Sequence, residues 1–528
     1  MLLHNRLSPW IISNVLLAAA VLPGLAQPGL PDLPPAADPP STSPGFSIPD
    51  TSITEDLSPN NERSDSEADN ADNITPSAST VSLTATDVVT LLLENNLDLR
   101  NEVLERIAQQ QDLEEVERIF LPDFIPTLRL GLSDREDAVA EITREALLQA
   151  EFLTPLGTDI AVAVDIEDRE LDLSLNQPLL RGSGRAVNTS QIEIARLQED
   201  NNRLTLRQRL ILDITSGILT YHGLIRAQAA LQIQQLSLAT QQERRRSVAA
   251  LVEAGRRAQF ELVEIDANLA ATKTNVLEAE NALEQAQSNL LNLLDVSDTL
   301  EITIPDSSLA NLNTIDRAFV MPSLEQLVAV AYIHRPDYQQ LQSDLKIVKL
   351  EELVAVDNRR WNLDLRANAS TGDLSEASTE LVLTHLLDDE STKTALERNR
   401  VRQQQLNNDF ERLNSDIRLE VEDQLRNVES ARNRIEATRR ARELAEKRLE
   451  NVLALARAGR NRDSFEVLEL QNAVVTAQNS EVNAAIDLAD AIATLHQALG
   501  TTLVEWAEQV DASQLLVVPE SLDAISND

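Results

Sequence analysis

From residue 84 onward apolar residues recur at every third or fourth position through most of the chain, a spacing that predicts amphipathic helices. SLTATDVVTLLLENNLDLRNEVLERIAQQQDLEEVERIF predicts one such helix over residues 84–119. Two longer runs, Val187 to Val252 and Asp389 to Ala456, contain no proline. At a rise of about 1.5 Å per residue each makes a helix about 100 Å long, which no globular domain encloses. Breaks at 253–261 and 457–466 separate these from returning helices over 259–295 and 464–499. In the returning helices Leu262, Ile265, Leu269, Thr272, Val276, Ala279 and Leu283, and again Val467, Leu470, Val474 and Ala477, form a stripe suited to close helix packing. Gly255 and Gly459 sit where a left-handed C-terminal cap lets the chain reverse into an antiparallel hairpin.

A second period interrupts the helices. PTLRLGLS (126–133), AVAVDIED (161–168), ELDLSLNQPLL (170–180), WNLDLRANAS (361–370) and TELVLTHLL (379–387) alternate apolar and polar residues, the signature of half-buried strands. The order then repeats, since PSLEQLVAVAYIHRPDYQQLQSDLKIVKLEELVAVDNRR (322–360) stands in the second half where the 84–119 helix stands in the first. Leu97-Asp98-Leu99 answers Pro336-Asp337-Tyr338. Each half reads helix, strands, long helix, tight turn, returning helix, which divides the chain into repeats over 83–300 and 323–505, a linker at 301–322 and a tail at 506–528. The fold expected is mainly α, with a small β component. One stripe of each hairpin finds no cover within a single chain, and a closed ring of subunits is the economical way to bury it.

The remaining segments and the composition add a compartment. Arg6 precedes WIISNVLLAAAVLPGLA, with Gly24 and Ala26 at signal-peptidase spacing, so residues 1–26 read as a cleavable export signal. Residues 27–82 are rich in Pro, Ser, Asp and Asn and are expected to be a disordered extension. No other stretch approaches the roughly 20 consecutive apolar residues of a membrane-spanning helix, so any crossing by the mature chain must use strands. The chain has no cysteine, which excludes disulfides, thiolate metal sites and a lipid-modified Cys. A net charge of −40 argues against a nucleic-acid partner.

Little in the chain points to catalysis. Gly182-Ser183-Gly184 lies between strand and helix as a phosphate loop would, but without the Lys-Ser/Thr that reaches phosphate and Mg²⁺; an elbow is the expectation. His4, His222, His334, His385 and His496 are scattered singly, with no metal or triad spacing. Carboxylate pairs such as Glu261 and Glu264 are two among 86 acidic residues and read as solvated faces. No enzyme activity, cofactor or metal is expected. Gly217 and Gly223 within a helix mark either close helix approach or no role at all.

The junction LSLNQPLLRGSGR (173–185), the turns AGRRAQFELVEIDANL (254–269) and AGRNRDSFEVLELQNAV (458–474), and the close ATLHQALGTTL (493–503) together resemble the TolC-type outer-membrane efflux proteins, over roughly residues 84–505. The resemblance implies a homotrimer in outer-membrane lipid, each protomer giving four strands to a shared membrane β-barrel of twelve that continues into a periplasmic helical tunnel. It implies that the far end of the tunnel meets a periplasmic adaptor (membrane fusion) protein and an inner-membrane transporter, in efflux or type I secretion. The chain departs from the pattern in its few strand-zone aromatics, Phe124, Phe152 and Trp361, and in a second junction, LTHLLDDESTK (383–393), that lacks Pro and Gly.

Two sets of site residues follow. Pro178, Gly182 and Gly184 form the strand-to-helix junction. Gly255, Arg256, Arg257 and Phe260 at one turn, with Gly459, Arg460, Arg462 and Phe465 at the other, form hairpin tips expected to dock the adaptor, since arginines outnumber carboxylates around both turns. Helix-end complementarity also accounts for cations there. The alternative reading of the whole chain is a periplasmic structural or adaptor coiled coil without a membrane barrel.

Overall fold

The computed structural model describes residues 80–135, 138–166, 169–296, 301–305, 307–309, 312, 322–371, 376–387, 389–457 and 464–507. The export signal and most of the extension lie outside the described residues, as do most of the linker and most of the tail. In chain order the elements are β1 (Thr80–Ser82), α1 (Ala85–Asn95), α2 (Leu97–Glu117), β2 (Asp123–Arg135), β3 (Ala138–Leu153), β4 (Asp159–Asp165), β5 (Glu170–Pro178), α3 (Arg185–Asn188), α4 (Ser190–Glu253), α5 (Gln259–Leu293), β6 (Glu301–Thr303), α6 (Leu324–His334), α7 (Pro336–Asp357), β7 (Asn362–Thr371), β8 (Glu376–Thr384), α8 (Glu390–Arg457), α9 (Ser464–Leu499) and α10 (Thr502–Ala507).

The repeat is visible in detail. Each half opens on a capping box, Thr84 with Asp87 and Ser323 with Gln326, that satisfies two helix-start N–H groups. Each then has a helix of 11 residues followed by a longer one, of 21 residues in the first half and 22 in the second. The single helix expected over 84–119 is therefore two. Asn96 breaks it, accepting from Leu99 N at 2.9 Å while its amide reaches Leu293 O at 3.1 Å, and Asp295 takes Leu97 N at 2.9 Å. Arg335 stands at the equivalent break, held by Asp337, Glu420 and the Ala498 carbonyl. Two main cores form around the paired helices, the first also taking in Ile486, Ala489 and Leu503 of the second half. Val88, Val89 and Leu92 of α1 bury against Leu210, Ile211 and Ile214 of α4 and Leu290 of α5, while Leu327 and Val328 of α6 bury against Ile417 and Val421 of α8 and Leu488 of α9.

The long helices have 64 and 68 residues, about 96 and 102 Å at the α-helical rise. Helix α4 packs on α5, α8 on α9, and α4 on α9, so the hairpins lie side by side in the order α5, α4, α9, α8. The seam between hairpins is polar as well as apolar: His222 Nδ1 lies 2.7 Å from Asp490, Arg226 bridges to Asp487 at 3.0 Å, and Arg244 donates to Gln471 at 3.0 Å. The outer helices leave apolar residues exposed, Val263 and Leu277 on α5 and Val401, Leu419 and Leu444 on α8. Spacings of 18 and 25 residues put the α8 three on one face at 3.6 residues per turn.

Two β components complete the architecture. β1 pairs in parallel with β6, tying the chain before the first repeat to the linker. The last three residues of the segment expected to be disordered are thus a strand. The second component is one antiparallel sheet in the order β2-β3-β4-β5-β7-β8.

Candidate functional site

Register separates the six-stranded sheet into two chemically distinct faces. Leu148 opposes Val164, Val162 opposes Leu173, Leu173 opposes Ala369, and Ala369 opposes Ala377. Because facing residues share a side and alternate residues share it along each strand, one face collects Phe124, Leu128, Leu130, Ala146, Leu148, Ala150, Phe152, Ile160, Val162, Val164, Leu171, Leu173, Leu175, Leu363, Leu365, Ala367, Ala369, Ala377, Leu381 and Leu383. Thr379 interrupts it, Arg144 takes the register position opposite Leu130, and Gln177 and Thr371 stand at its ends. The other face carries Thr127, Arg129, Gln149, Glu151, Asp172, Ser174, Asn176, Asp364, Arg366, Asn368, Ser370, Ser378 and Glu380, with Ile125, Leu147 and Val382 among them. An open pocket of about 600 Å³ lies against the sheet, where Gln149, Asp172, Ser174, Asn368, Ser370 and Ser378 of the polar face line it together with alanines and Leu173.

The apolar face is bare. Phe124 is 70% exposed, Leu128 77% and Leu130 74%. Such a face in water carries a large unfavourable hydration free energy, whereas in lipid it is at rest, provided the sheet closes. Phe124, Phe152 and Trp361, the last stacked on His385 at 4.5 Å, lie within two residues of the helix-bearing end of the sheet, and their parity puts all three on the apolar face. The few aromatics of the strand zone are thus concentrated at one end of the apolar face, the placement an aromatic girdle has in membrane barrels.

All helix connections leave from that same end, and the junction there is built by hydrogen bonds. Leu179 N bonds Leu363 O at 2.7 Å and Gly184 N bonds Leu156 O at 3.2 Å. Gly182 N donates to Asp357 Oδ2 at 2.7 Å, and Asn188 Nδ2 clasps the carbonyls of Gly182 and Gly184, both at 2.9 Å. Gly182 and Gly184 have φ of +76° and +102°, so the elbow needs glycine twice. Pro178 ends β5 and is buried. The structure places Pro178, Gly182 and Gly184 between β5 and α3, and adds two partners not read from the sequence. One is Asp357, only 2% exposed at the end of α7. The other is Gly157, at φ +90° in the β3–β4 turn, where a Cβ would stand 2.3 Å from the Gly182 carbonyl oxygen.

At the first hairpin tip Gly255 has φ +68°, its N–H bonds Val252 O at 2.9 Å, and Arg256 N bonds Leu251 O at 2.8 Å, the paired bonds of a Schellman motif. Arg256 and Phe260 are exposed, while Arg257 pairs with Glu261. The charge excess around the turns is smaller than a residue count implies, because Arg245 bonds Asp266, Arg246 bonds Glu243, and Arg442 bonds Glu446 and Glu481. Gly459, Arg460 and Arg462 lie outside the described residues, and of Phe465 only the backbone, in α9, is described.

Among the described residues no group of His, Cys, Asp and Glu is arranged to hold a metal ion, and no helix is long and apolar enough to cross a membrane. His222 is buried against Asp490, and burial pushes both His334 and His496 below the ordinary imidazole value. The two helix glycines differ. A Cβ on Gly217 would lie 3.1 Å from Leu92 Cδ1, where α1 crosses α4, while Gly223 faces open space.

No protein-family model matches the sequence, and no curated protein matches it by sequence. Solved structures do match in fold. CusC is 17% identical, with a TM-score of 0.60 over 80% of this chain and 93% of its own. The outer-membrane channel CmeC of Campylobacter jejuni is 14% identical, with a TM-score of 0.58 over 81% of this chain and 90% of its own. The outer-membrane protein VceC of Vibrio cholerae is 14% identical, with a TM-score of 0.58 over 79% of this chain and 96% of its own. With paired helical hairpins, a two-repeat order and a sheet set on their end, the chain has the fold of the TolC-type outer-membrane channels.

Proposed function

We propose that the chain is one protomer of a homotrimeric outer-membrane channel-tunnel for efflux or type I secretion, working with a periplasmic adaptor and an inner-membrane transporter. The observation that carries this is the sheet. A predominantly apolar face that runs over all six strands, opposite a predominantly polar one, suits a wall between lipid and a water-filled lumen. A periplasmic adaptor without a barrel leaves that face unexplained. The helices support the same reading, because the exposed stripes of α5 and α8 lie on the two outer edges of the hairpin layer, where neighbours in a ring meet.

The test is fractionation of cell envelopes followed by semi-native electrophoresis. Heat-modifiable trimers in the outer membrane are expected, and loss of the gene should raise sensitivity to exported toxic compounds or abolish secretion of a polypeptide. A soluble periplasmic monomer would overturn the reading.

A further inference from the structure

The sheet holds six strands, two more than the resemblance to TolC-type channels implies for each protomer. We infer that all six enter the wall, so that three chains close a barrel of eighteen strands, joined by β8 of one chain pairing with β2 of the next. This rests on the channel reading above.

Three observations carry it. The first is chemical continuity: along β2 of the β2–β3 hairpin Phe124, Leu128 and Leu130 lie on the apolar side with Val162 and Leu173, and Thr127 and Arg129 on the polar side, while on β3 Ala146, Leu148 and Ala150 continue the apolar side and Arg144 takes the position opposite Leu130. A hairpin folded away from the wall would leave that apolar row in water. The second is pairing. β3 bonds β4 along the whole of β4, from Leu147↔Asp165 to Leu153↔Asp159. A wall of twelve would require this ladder to be torn open to free the β4 edge for a neighbour. The third is direction. β2 and β8 each pair on one side only, with β3 and β7. Six strands alternate in direction, so β8 of one chain meets β2 of a second copy antiparallel, and the apolar faces continue without a break. Against the roughly 9–11 residues that a tilted membrane strand needs, β2 and β3 have 13 and 16, β5, β7 and β8 have 9, 10 and 9, and β4 is shorter at 7.

The size of the opening follows. With strands about 4.8 Å apart and tilted by about 40°, eighteen strands give a backbone diameter of about 36 Å, against about 24 Å for twelve. The wider wall falls in the range of barrels that hold an open aqueous lumen.

The absence of cysteine makes the test clean. Leu381→Cys on β8 is combined with Leu128→Cys or Leu130→Cys on β2, or with Ile160→Cys or Val162→Cys on β4, all on the apolar face. A short bismaleimide is added to isolated outer membranes. Covalent trimers from the β8–β2 pairs, and none from the β8–β4 pairs, are expected. Trimers from the β8–β4 pairs would overturn the inference while keeping the channel, as would outer-membrane trimers crosslinked by neither. A chain that never reaches the outer membrane would overturn the channel reading itself. Should the variants fail to assemble, electron cryo-microscopy of the cysteine-free protein in lipid nanodiscs decides by strand count: eighteen supports the inference and twelve overturns it.

Discussion

At the scale of single residues, the glycines divide by what surrounds them. Gly157 combines a left-handed φ with a backbone oxygen 2.3 Å from where a Cβ would stand, so Gly157→Ala should cost more than about 1 kcal/mol and lower the temperature at which the assembled protein dissociates. Gly223 has open space and helical geometry, and Gly223→Ala should gain about 1 kcal/mol, whereas at Gly217 the contact with Leu92 offsets that gain. Thermal denaturation of the three variants side by side checks the order. The junction was legible in the sequence only on its own strand. Gly182 and Gly184 announce an elbow, but Asp357, which accepts the Gly182 N–H, is 175 positions away, and a single sequence carries no signal of that pairing.

At the scale of elements, helix limits were readable because hydrophobic period and caps agree. The long helices fall within a few residues of expectation, and Gly255 caps as its position implied. The break at Asn96 was not readable, since its partners Leu293 and Asp295 lie a whole repeat away. β3 was missed for a different reason. Its sequence AVAEITREALLQAEFL is rich in Ala, Leu, Glu and Gln, good helix formers, and pairing with β2 overrides that preference. One element contact carries a pH signature. Glu199 on α4 is 4% exposed; burial opposes its ionisation, but hydrogen bonds and charge from Arg106 of α2 and from Arg203 hold its carboxyl below the ordinary 4.5. A depressed folded value means the stabilisation is complete above pH 4.5 and is lost as pH falls through the folded value. The thermal midpoint should therefore drop in that acid range, and Glu199→Gln should flatten this part of the pH profile.

At the scale of the whole molecule, two repeats, hairpins and strands with an apolar face were legible because each is a periodic pattern, while the number of strands was not. The hairpin tips remain a proposal at this scale. Changing Arg256, Arg257, Arg460 and Arg462 to Glu should abolish adaptor crosslinking and pump-dependent export while trimers still reach the outer membrane; unchanged export and crosslinking would leave these cations only the task of complementing helix ends. The sheet has one further consequence. Every connection to a helix leaves from one end, and at the opposite end only two residues separate Arg135 from Ala138, four separate Asp165 from Glu170, and four separate Thr371 from Glu376. In a channel that opposite end looks outward from the cell. Under the proposed function, a bacterium carrying it would offer antibodies only short stretches of sequence between strands to grip, so the proposed route out of the cell would be a poor handle for what approaches from outside.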